Sequence, residues 1–248
     1  MRALLAAALC LGFAGLVAAQ SAPVAAFNEG NEHYRQGQYT QARDQYLEVV
    51  AAGVADPQVF YNLGNACFKA GRLGEAVLWY HRALRLAPRD PDIRANLGMA
   101  EALRLDQTHA VGGVGQWLED LYLFPTLNEL SALFGAFFLL ACALGGWRLW
   151  RRAWLAWWRL ALFAGSVSLA AGAGVYLGAR CWAQAQAQVV VLAAEVSAHS
   201  APDPGQTAVF VVHEGTCLEL GRREGEWVLV RLPTGLAGWV PASAVEQL

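Results

Sequence analysis

Side chains that could act as nucleophiles or metal ligands are few in this chain and far apart. Besides Cys10, the cysteines are Cys67, Cys142, Cys181 and Cys217. No pair of them has the spacing typical of a disulfide or a metal site. Cys67 and Cys142 lie in apolar helical patterns, where a thiol packs as a small apolar group.

His213 and Cys217 are the two residues that most resemble a nucleophile and its general base. They flank Gly215 in a predicted turn, but the surrounding sequence offers no oxyanion-stabilising loop and no third partner. The five histidines are scattered, and there is no glycine-rich phosphate loop and no recognisable pair of catalytic carboxylates. We therefore expect a protein that is not an enzyme and that has no cofactor and no metal ion.

The charge balance excludes a general nucleic-acid binder. The chain has 20 acidic and 18 basic residues, whereas phosphate recognition needs a surplus of Lys and Arg on one face. The charges are also unevenly distributed, since residues 1–20 and 126–182 contain very few of them. This pattern predicts polar modules arranged around a membrane segment.

The N-terminus is typical of an export signal. Arg2 precedes an uncharged apolar run from Ala3 to Ala19 that ends in small residues. The run is at the short limit for crossing a bilayer, so cleavage after Ala19 is favoured over an uncleaved anchor. Residues 1–19 are predicted to be a signal peptide, and the following segment is expected outside the cytoplasm.

Two further apolar runs are long enough to cross a membrane. Leu130 to Trp147 and Leu160 to Ala179 contain no charged residue, and residues 148–159 between them carry four arginines and no acid. Cytoplasmic loops carry the excess of Lys and Arg, so this Arg/Trp loop is predicted to be cytoplasmic. Residues 127–182 are thus expected to form a two-helix transmembrane hairpin whose flanking regions both lie outside.

The region before the hairpin contains an internal repeat. Gly30, Gly64 and Gly98 are evenly spaced, and Tyr46 and Tyr80 are separated by the same interval. A helical period of this length, about 34 residues, is the signature of the tetratricopeptide repeat. The second copy resembles that family at these diagnostic positions: Phe60, Leu63, Gly64, Gly71, Ala76, Tyr80, Ala83 and Pro88.

The resemblance implies a short helical solenoid over residues 20–110. The first copy is weaker than the second, and the third stops after one helix, so about two and a half repeats are expected. Repeats stabilise one another by stacking. So short a stack is expected to be marginal and to need a partner or the membrane surface to be well ordered.

The resemblance also implies that the first helix of each pair lines a groove for a peptide of a partner protein. The candidate partner-binding residues are Phe27, Asn31, Tyr34, Arg35, Tyr61, Asn65, Phe68 and Lys69. The asparagines and the two bases resemble part of a clamp for a terminal carboxylate, but Phe27 and Tyr61 stand where that clamp has Lys. The favoured alternative is that both asparagines bond backbone groups within each helix pair.

Residues 111–126 are predicted to be a linker. Glycines at 112, 113 and 115 end the helical pattern, after which large apolar residues recur at helical spacing from Trp117 to Tyr122. Such a stripe favours an interfacial helix lying on the outer membrane surface, with a buried linker as the equal alternative.

The pattern changes after Gln188 to short β-rich runs separated by turn signals. Five such runs, at 189–196, 207–212, 216–221, 226–232 and 237–241, predict a small closed or half-closed barrel. The order of Gly215, Trp227 and Trp239 resembles the bacterial SH3-like domain over residues 188–248, although His199 replaces that family's Arg. His199, Trp227 and Trp239 are the candidate ligand surface, with both tryptophans more typical of core.

The order of these parts resembles the BatE family of the bacterial aerotolerance (Bat) operon. Each part is common alone, and their order carries the resemblance. It implies a multidomain fold: an α-helical tetratricopeptide solenoid, a two-helix transmembrane hairpin and a small all-β SH3-like barrel. It places the protein in the bacterial inner membrane, with the repeats and the barrel on the periplasmic side.

Two functions follow from this resemblance. The first is a non-enzymatic scaffold or adaptor in an aerotolerance or envelope-stress complex, whose partners are membrane proteins with von Willebrand factor A domains and a MoxR-type ATPase. The second is a cell-wall protein that binds or senses peptidoglycan through the SH3-like domain, with the repeats as an extension. Binding of that domain to cell walls would distinguish the two.

Overall fold

The computed structural model describes residues 22–106, 125–151 and 157–248. The predicted signal peptide, the linker up to residue 124 and the centre of the Arg/Trp loop lie outside these residues. The chain divides into two compact units. One, the repeat–β unit, combines 22–106 with 187–248, and the other is the helical hairpin between them.

The N-terminal part of the repeat–β unit is helical. The helices are α1 (22–35), α2 (Tyr39–Ala51), α3 (Pro57–Lys69), α4 (Leu73–Leu86) and α5 (Pro91–Ala102). Asp56 and Asp90 start α3 and α5: each carboxylate accepts two backbone N–H groups of the first turn, and Pro occupies the first helical position. This Asp-Pro pair recurs with the period of the glycines, so consecutive repeats begin in the same way.

Large tyrosines fill the crossing of each helix pair. Tyr46 and Tyr80 are both 1% exposed, and a Cβ added at Gly30 or Gly64 would lie 2.7 Å from the ring of its tyrosine. The predicted register of the repeats is therefore the observed one. At Gly98 no described atom lies within 4 Å of such a Cβ, since α5 has no second helix of its own repeat among the described residues.

The C-terminal part of the unit is a seven-stranded antiparallel sheet in the order β3-β2-β6-β5-β4-β1-β7. The strands are β1 (Gln188–Val191), β2 (Glu195–His199), β3 (Ala208–His213), β4 (Cys217–Glu224), β5 (Trp227–Arg231), β6 (Ala237–Pro241) and β7 (Val245–Gln247). A short 3₁₀ helix, Ala242–Ala244, precedes β7. Val212 of β3 and Val245 of β7 pack on the same core, so the sheet curves around it.

The repeats and the β domain share strand β1. Side chains alternate along a strand, and here Val189 and Val191 enter the β core while Val190 enters the core of the repeats. Leu192, Cys217 and Leu248 pack on the same repeat core. Sequence patterns do not predict this contact, because the linker and the whole hairpin separate the repeats from β1.

The second unit is a pair of helices, α6 (Leu127–Arg151) and α7 (Trp157–Ala185). By length and composition both can cross a membrane, with mean hydropathies of 1.9 over Leu127–Trp147 and 1.7 over Leu160–Trp182. Thr126 and Glu129 form a capping box: the Thr126 N–H donates to the Glu129 carboxylate, and the Glu129 N–H donates to the Thr126 hydroxyl.

Candidate functional site

A row of asparagines runs across the first helices of the repeats. Asn31 Oδ1 on α1 accepts hydrogen bonds from Tyr46 Oη, at 2.8 Å, and from Asn62 Nδ2 on α3, at 3.2 Å. One repeat later, Asn65 Oδ1 accepts from Tyr80 Oη at 2.7 Å and from Asn96 Nδ2 at 2.8 Å. The same three-residue arrangement is therefore built twice, and we call it the asparagine ladder (Asn31, Asn62, Asn65 and Asn96, with Tyr46 and Tyr80).

The ladder has a fixed hydrogen-bond direction. Burial is the largest influence on both phenols: it raises the pKa of Tyr46 to about 12 and holds the pKa of Tyr80 well above its usual range. Both hydroxyls are therefore protonated at neutral pH and donate. Each acceptor oxygen, on Asn31 and on Asn65, is used twice, so the Nδ2 donors are the groups that these two side chains offer to a ligand.

This account differs from the favoured sequence interpretation, in which Asn31 and Asn65 bond backbone groups. The buried tyrosine hydroxyls need an acceptor, and a side-chain amide at the equivalent position of each repeat supplies it. Sequence analysis also missed Asn62 and Asn96 as members of the ladder. They too are separated by one repeat period, so the comparison that aligned the glycines would have found them.

The ladder borders a small pocket. Its volume is about 60 Å³, and it is lined by Asn31, Tyr34, Tyr46, Asn62 and Asn65. Three of the predicted partner-binding residues, Asn31, Tyr34 and Asn65, thus meet at one place. The cavity is much smaller than a typical ligand pocket, so it has room for a single small group.

The other predicted aromatic residues support the core of the repeats. Phe27, Tyr61 and Phe68 are half-buried and pack on the repeat core. The Phe27 ring lies 5.8 Å from that of Tyr46, and the Tyr61 ring 6.1 Å from that of Tyr80. Each therefore has one side in the fold and one accessible side.

The two predicted basic residues are exposed. The Arg35 side chain is 70% exposed and forms an ion pair with Glu32 at 2.8 Å. Lys69 is the last residue of α3 and is also exposed. An exposed pair contributes little to stability, so both side chains can change partner without cost to the fold.

On the β domain, His199, Trp227 and Trp239 lie on adjacent strands. The His199 ring meets Trp227 edge-on at 5.7 Å, and His199 Nδ1 lies 2.9 Å from the Gln206 carbonyl oxygen. Trp239 is only 5% exposed, and the Arg222 guanidinium lies over its ring at 5.3 Å. The structure therefore brings the three residues together, with Trp239 in the core and Trp227 half-buried.

The thiol of Cys217 faces a different histidine from the one near it in sequence. His81 Nε2 on α4 lies 3.6 Å from Cys217 Sγ and 3.4 Å from Glu101 Oε1, while His213 bonds Asp106. A catalytic relay uses opposite ring nitrogens for the nucleophile and the orienting acid, whereas here both contacts share Nε2. Among the residues that the structure describes, no group of three His, Cys, Asp or Glu is arranged to hold a metal ion.

Comparison with known proteins identifies the helical part. Residues 27–91 match the family model described as the tetratricopeptide repeat. The matched segment begins at Phe27, within α1, and ends at the first residue of α5, so it contains α2, α3 and α4 whole and most of α1. A search of curated proteins finds no match to the chain. The segment 27–91 is therefore made of tetratricopeptide repeats, and it contains every residue of the asparagine ladder except Asn96, which lies on α5.

Proposed function

We propose that the protein is a non-enzymatic, membrane-bound scaffold whose repeats hold an extended segment of a partner protein against the asparagine ladder. The observation that supports it is the duplicated bonding of Asn31 and Asn65, which leaves two amide donors one repeat apart. An extended peptide presents backbone carbonyl oxygens at regular intervals and can accept from both. Tetratricopeptide repeats serve protein–protein interaction, which agrees with this role.

Affinity and selectivity would come from different side chains. The half-buried rings of Phe27, Tyr34, Tyr61 and Phe68 supply contact area that is already partly ordered, which reduces the entropy lost on binding. Arg35 and Lys69 are exposed, at the ends of α1 and α3, and would select partners with acidic groups. The proposed ligand is thus an extended peptide with both apolar and acidic side chains.

We place the repeats and the β domain outside the cytoplasm, with the hairpin crossing a bacterial inner membrane twice. The arginine-rich loop supports this orientation. The segments before and after the hairpin together form one compact unit, so both must lie on the same side of the membrane. This supports two crossings. An even number of spans is the arrangement that returns the chain to the side on which the repeats lie.

The order of the modules supports a role like that of the BatE family, with von Willebrand factor A-domain membrane proteins and a MoxR-type ATPase as proposed partners. The alternative, peptidoglycan binding by an SH3-like C-terminal domain, calls for an accessible aromatic platform. Trp239 lies beneath Arg222 and is nearly buried. This favours the scaffold over the cell-wall protein.

The test replaces the two donors without disturbing the tyrosines. In the double variant Asn31→Asp, Asn65→Asp, the acceptor oxygen for each tyrosine hydroxyl is kept, and each Nδ2 donor becomes an oxygen that repels a carbonyl. We expect the tagged full-length variant to remain in the membrane and to lose the exported proteins that co-purify with the parent. Asn28→Asp, on the exposed part of α1, is the matched control.

Unchanged co-purification by the double variant would rule out the ladder as the binding element. The alternative function has its own readout, since binding of the full-length protein to purified cell walls should then depend on Trp227. Loss of cell-wall binding in Trp227→Ala, with partner proteins unaffected by the asparagine changes, would favour the peptidoglycan hypothesis.

A further inference from the structure

Helix α4 has no N-cap of its own. Its N-cap position is Arg72, whose side chain makes no capping bond, whereas α3 and α5 are capped by Asp56 and Asp90. The missing acceptor comes from the β domain: the Gly74 N–H at the start of α4 donates to Glu214 Oε2 at 3.3 Å. A carboxylate there also complements the positive end of the helix dipole.

Helix α4 is also buried on more faces than a helix at the surface of a two-layer solenoid. Every residue from Ala76 to Tyr80 is buried, which spans more than a full helical turn. Tyr80 faces α3, and the other side of the helix is covered by Val190 and by Cys217 of the β domain. The approach is close: a Cβ added at Gly74 would lie 2.6 Å from the Val191 carbonyl oxygen.

The chain after α5 is bonded to the same part of the β domain. The Asp106 carboxylate accepts from the His213 N–H at 2.7 Å and from the Thr216 hydroxyl at 2.9 Å. Burial raises the pKa of Asp106, but the bonds from His213 and Thr216 outweigh it and hold that pKa below its usual range. Arg104, nearly buried, donates to the Gly215 carbonyl oxygen at 3.3 Å.

We propose that the C-terminal β domain is the capping element of the repeat solenoid. Terminal repeats need a cover with a polar outer surface, which a solenoid usually obtains from an atypical helix. Here a β domain covers α4, caps its first turn through Glu214 and binds the end of the repeats through Thr216 and His213. This role goes beyond partner binding and assigns the β domain a function in the stability of the groove.

The first test inserts one methyl group between Gly74 of α4 and Val191 of the β domain. Replacing Gly with Ala raises helix propensity. If the β domain does not stabilise α4, Gly74→Ala should therefore slow amide exchange in this helix. If the β domain is the cap, the methyl group forces Val191 away, and exchange should become at least tenfold faster in α4 and β1 together. Hydrogen exchange of the full-length protein in detergent measures both segments.

Gly98→Ala is the matched control. Gly98 lies within helix α5, and no described atom is within 4 Å of the Cβ position. We expect exchange in α4 to be unchanged by this variant. Unchanged or slower exchange of α4 in Gly74→Ala would overturn the proposal, as would faster exchange that is confined to the β domain.

A second variant leaves the packing intact. Glu214→Ala removes the carboxylate that caps α4, and Glu195→Ala removes an exposed glutamate from β2 of the same domain. We expect faster exchange at the first turn of α4 with Glu214→Ala and no change there with Glu195→Ala. Equal exchange of the α4 amides in both variants would contradict the capping role even if Gly74→Ala failed to fold.

Discussion

At the scale of single residues, His81 is a histidine whose pKa the fold moves from below neutral pH to above it. Burial lowers its pKa, but the contacts with Cys217 and Glu101 outweigh this effect and raise the pKa of His81 to about 9. The imidazole is therefore protonated at neutral pH, although its position on α4 beneath the β domain excludes most of the solvent. Arg104 also approaches Glu101, at 3.7 Å, and shares the carboxylate.

This raised pKa predicts a pH dependence of stability. A histidine whose folded pKa exceeds its unfolded value of 6.5 contributes fully below pH 6.5, and the contribution is lost as the pH rises through about 9. We expect the free energy of unfolding to fall by at most about 3 kcal/mol across this window. Denaturant unfolding of the full-length protein at several pH values measures it.

His81→Gln is the variant that isolates this effect. It should flatten the dependence of the unfolding free energy on pH between pH 6.5 and about pH 9, because glutamine has no group that titrates there. Asp106 titrates at far lower pH because its pKa is depressed, so it does not interfere. A His81→Gln protein with the same alkaline loss of stability would show that another group is responsible.

Arg35 and Lys69 carry the prediction about partner choice. Reversing both charges, Arg35→Glu with Lys69→Glu, should release partner proteins from the detergent-solubilised complex, because both bases are exposed and belong to the predicted partner-binding residues. The protein itself should stay abundant in the membrane. A similar reversal at the end of the second helix pair, Arg85→Glu in the last turn of α4 with Arg89→Glu just after it, is the control for a general charge effect.

At the scale of elements, the helix crossings set the tolerance of the repeats to mutation. Gly64→Leu must displace the Tyr80 ring, which lies 2.7 Å from the position of a Cβ. We expect a loss of about 1–3 kcal/mol in the free energy of unfolding from overpacking. Gly98→Leu should cost less, because that position is open among the described residues.

Thermal or denaturant unfolding of full-length protein compares the two variants. The whole chain is needed, since the repeats share a core with the β domain. If Gly64→Leu were as stable as the parent, the tyrosine would have an alternative position and the crossing would be less constrained than its geometry indicates.

The helices were predictable from sequence and the strands less so. The repeat period, the Asp-Pro starts and the tyrosine positions are local signals that recur, and the structure confirms the register they predict. The predicted run 189–196 is instead two strands, β1 and β2, because the chain turns at residues 192–194. Strand β7, Val245–Gln247, is too short to show an alternating pattern.

The asparagine ladder and the interface with the β domain mark the limit of such inference. The sequence predicts Asn31 and Asn65 as groove residues, but their bonding depends on tyrosine hydroxyls that reach them from the second helices. The contact of Val190 with the repeat core joins segments on either side of the hairpin. No periodicity of the sequence relates these two segments, so their contact is seen only in the folded chain.

At the scale of the whole molecule, the predicted topology is open to a direct test. Residues 148–159, between the two apolar runs, contain four arginines and no acid, so this segment should be cytoplasmic and both flanks outside. A reporter enzyme that works only outside the cytoplasm should be active when fused after Leu248 and inactive when fused at Trp154. Activity at Trp154 would reverse the orientation.

The repeat–β unit is built from both ends of the chain, so its two parts are synthesised at different times. At a synthesis rate of about 5–20 residues per second, the ribosome needs on the order of ten seconds to pass from Asp106 to Ala187. During that interval the repeats have emerged without Glu214 or Val190, the residues that cover α4 in the finished unit. In the proposed topology, α4 is therefore covered last, after both spans have been inserted and the final strand has been exported. On the proposed capping role, a chain that ends before the β domain would present a less stable groove to the proposed partner than the finished protein does.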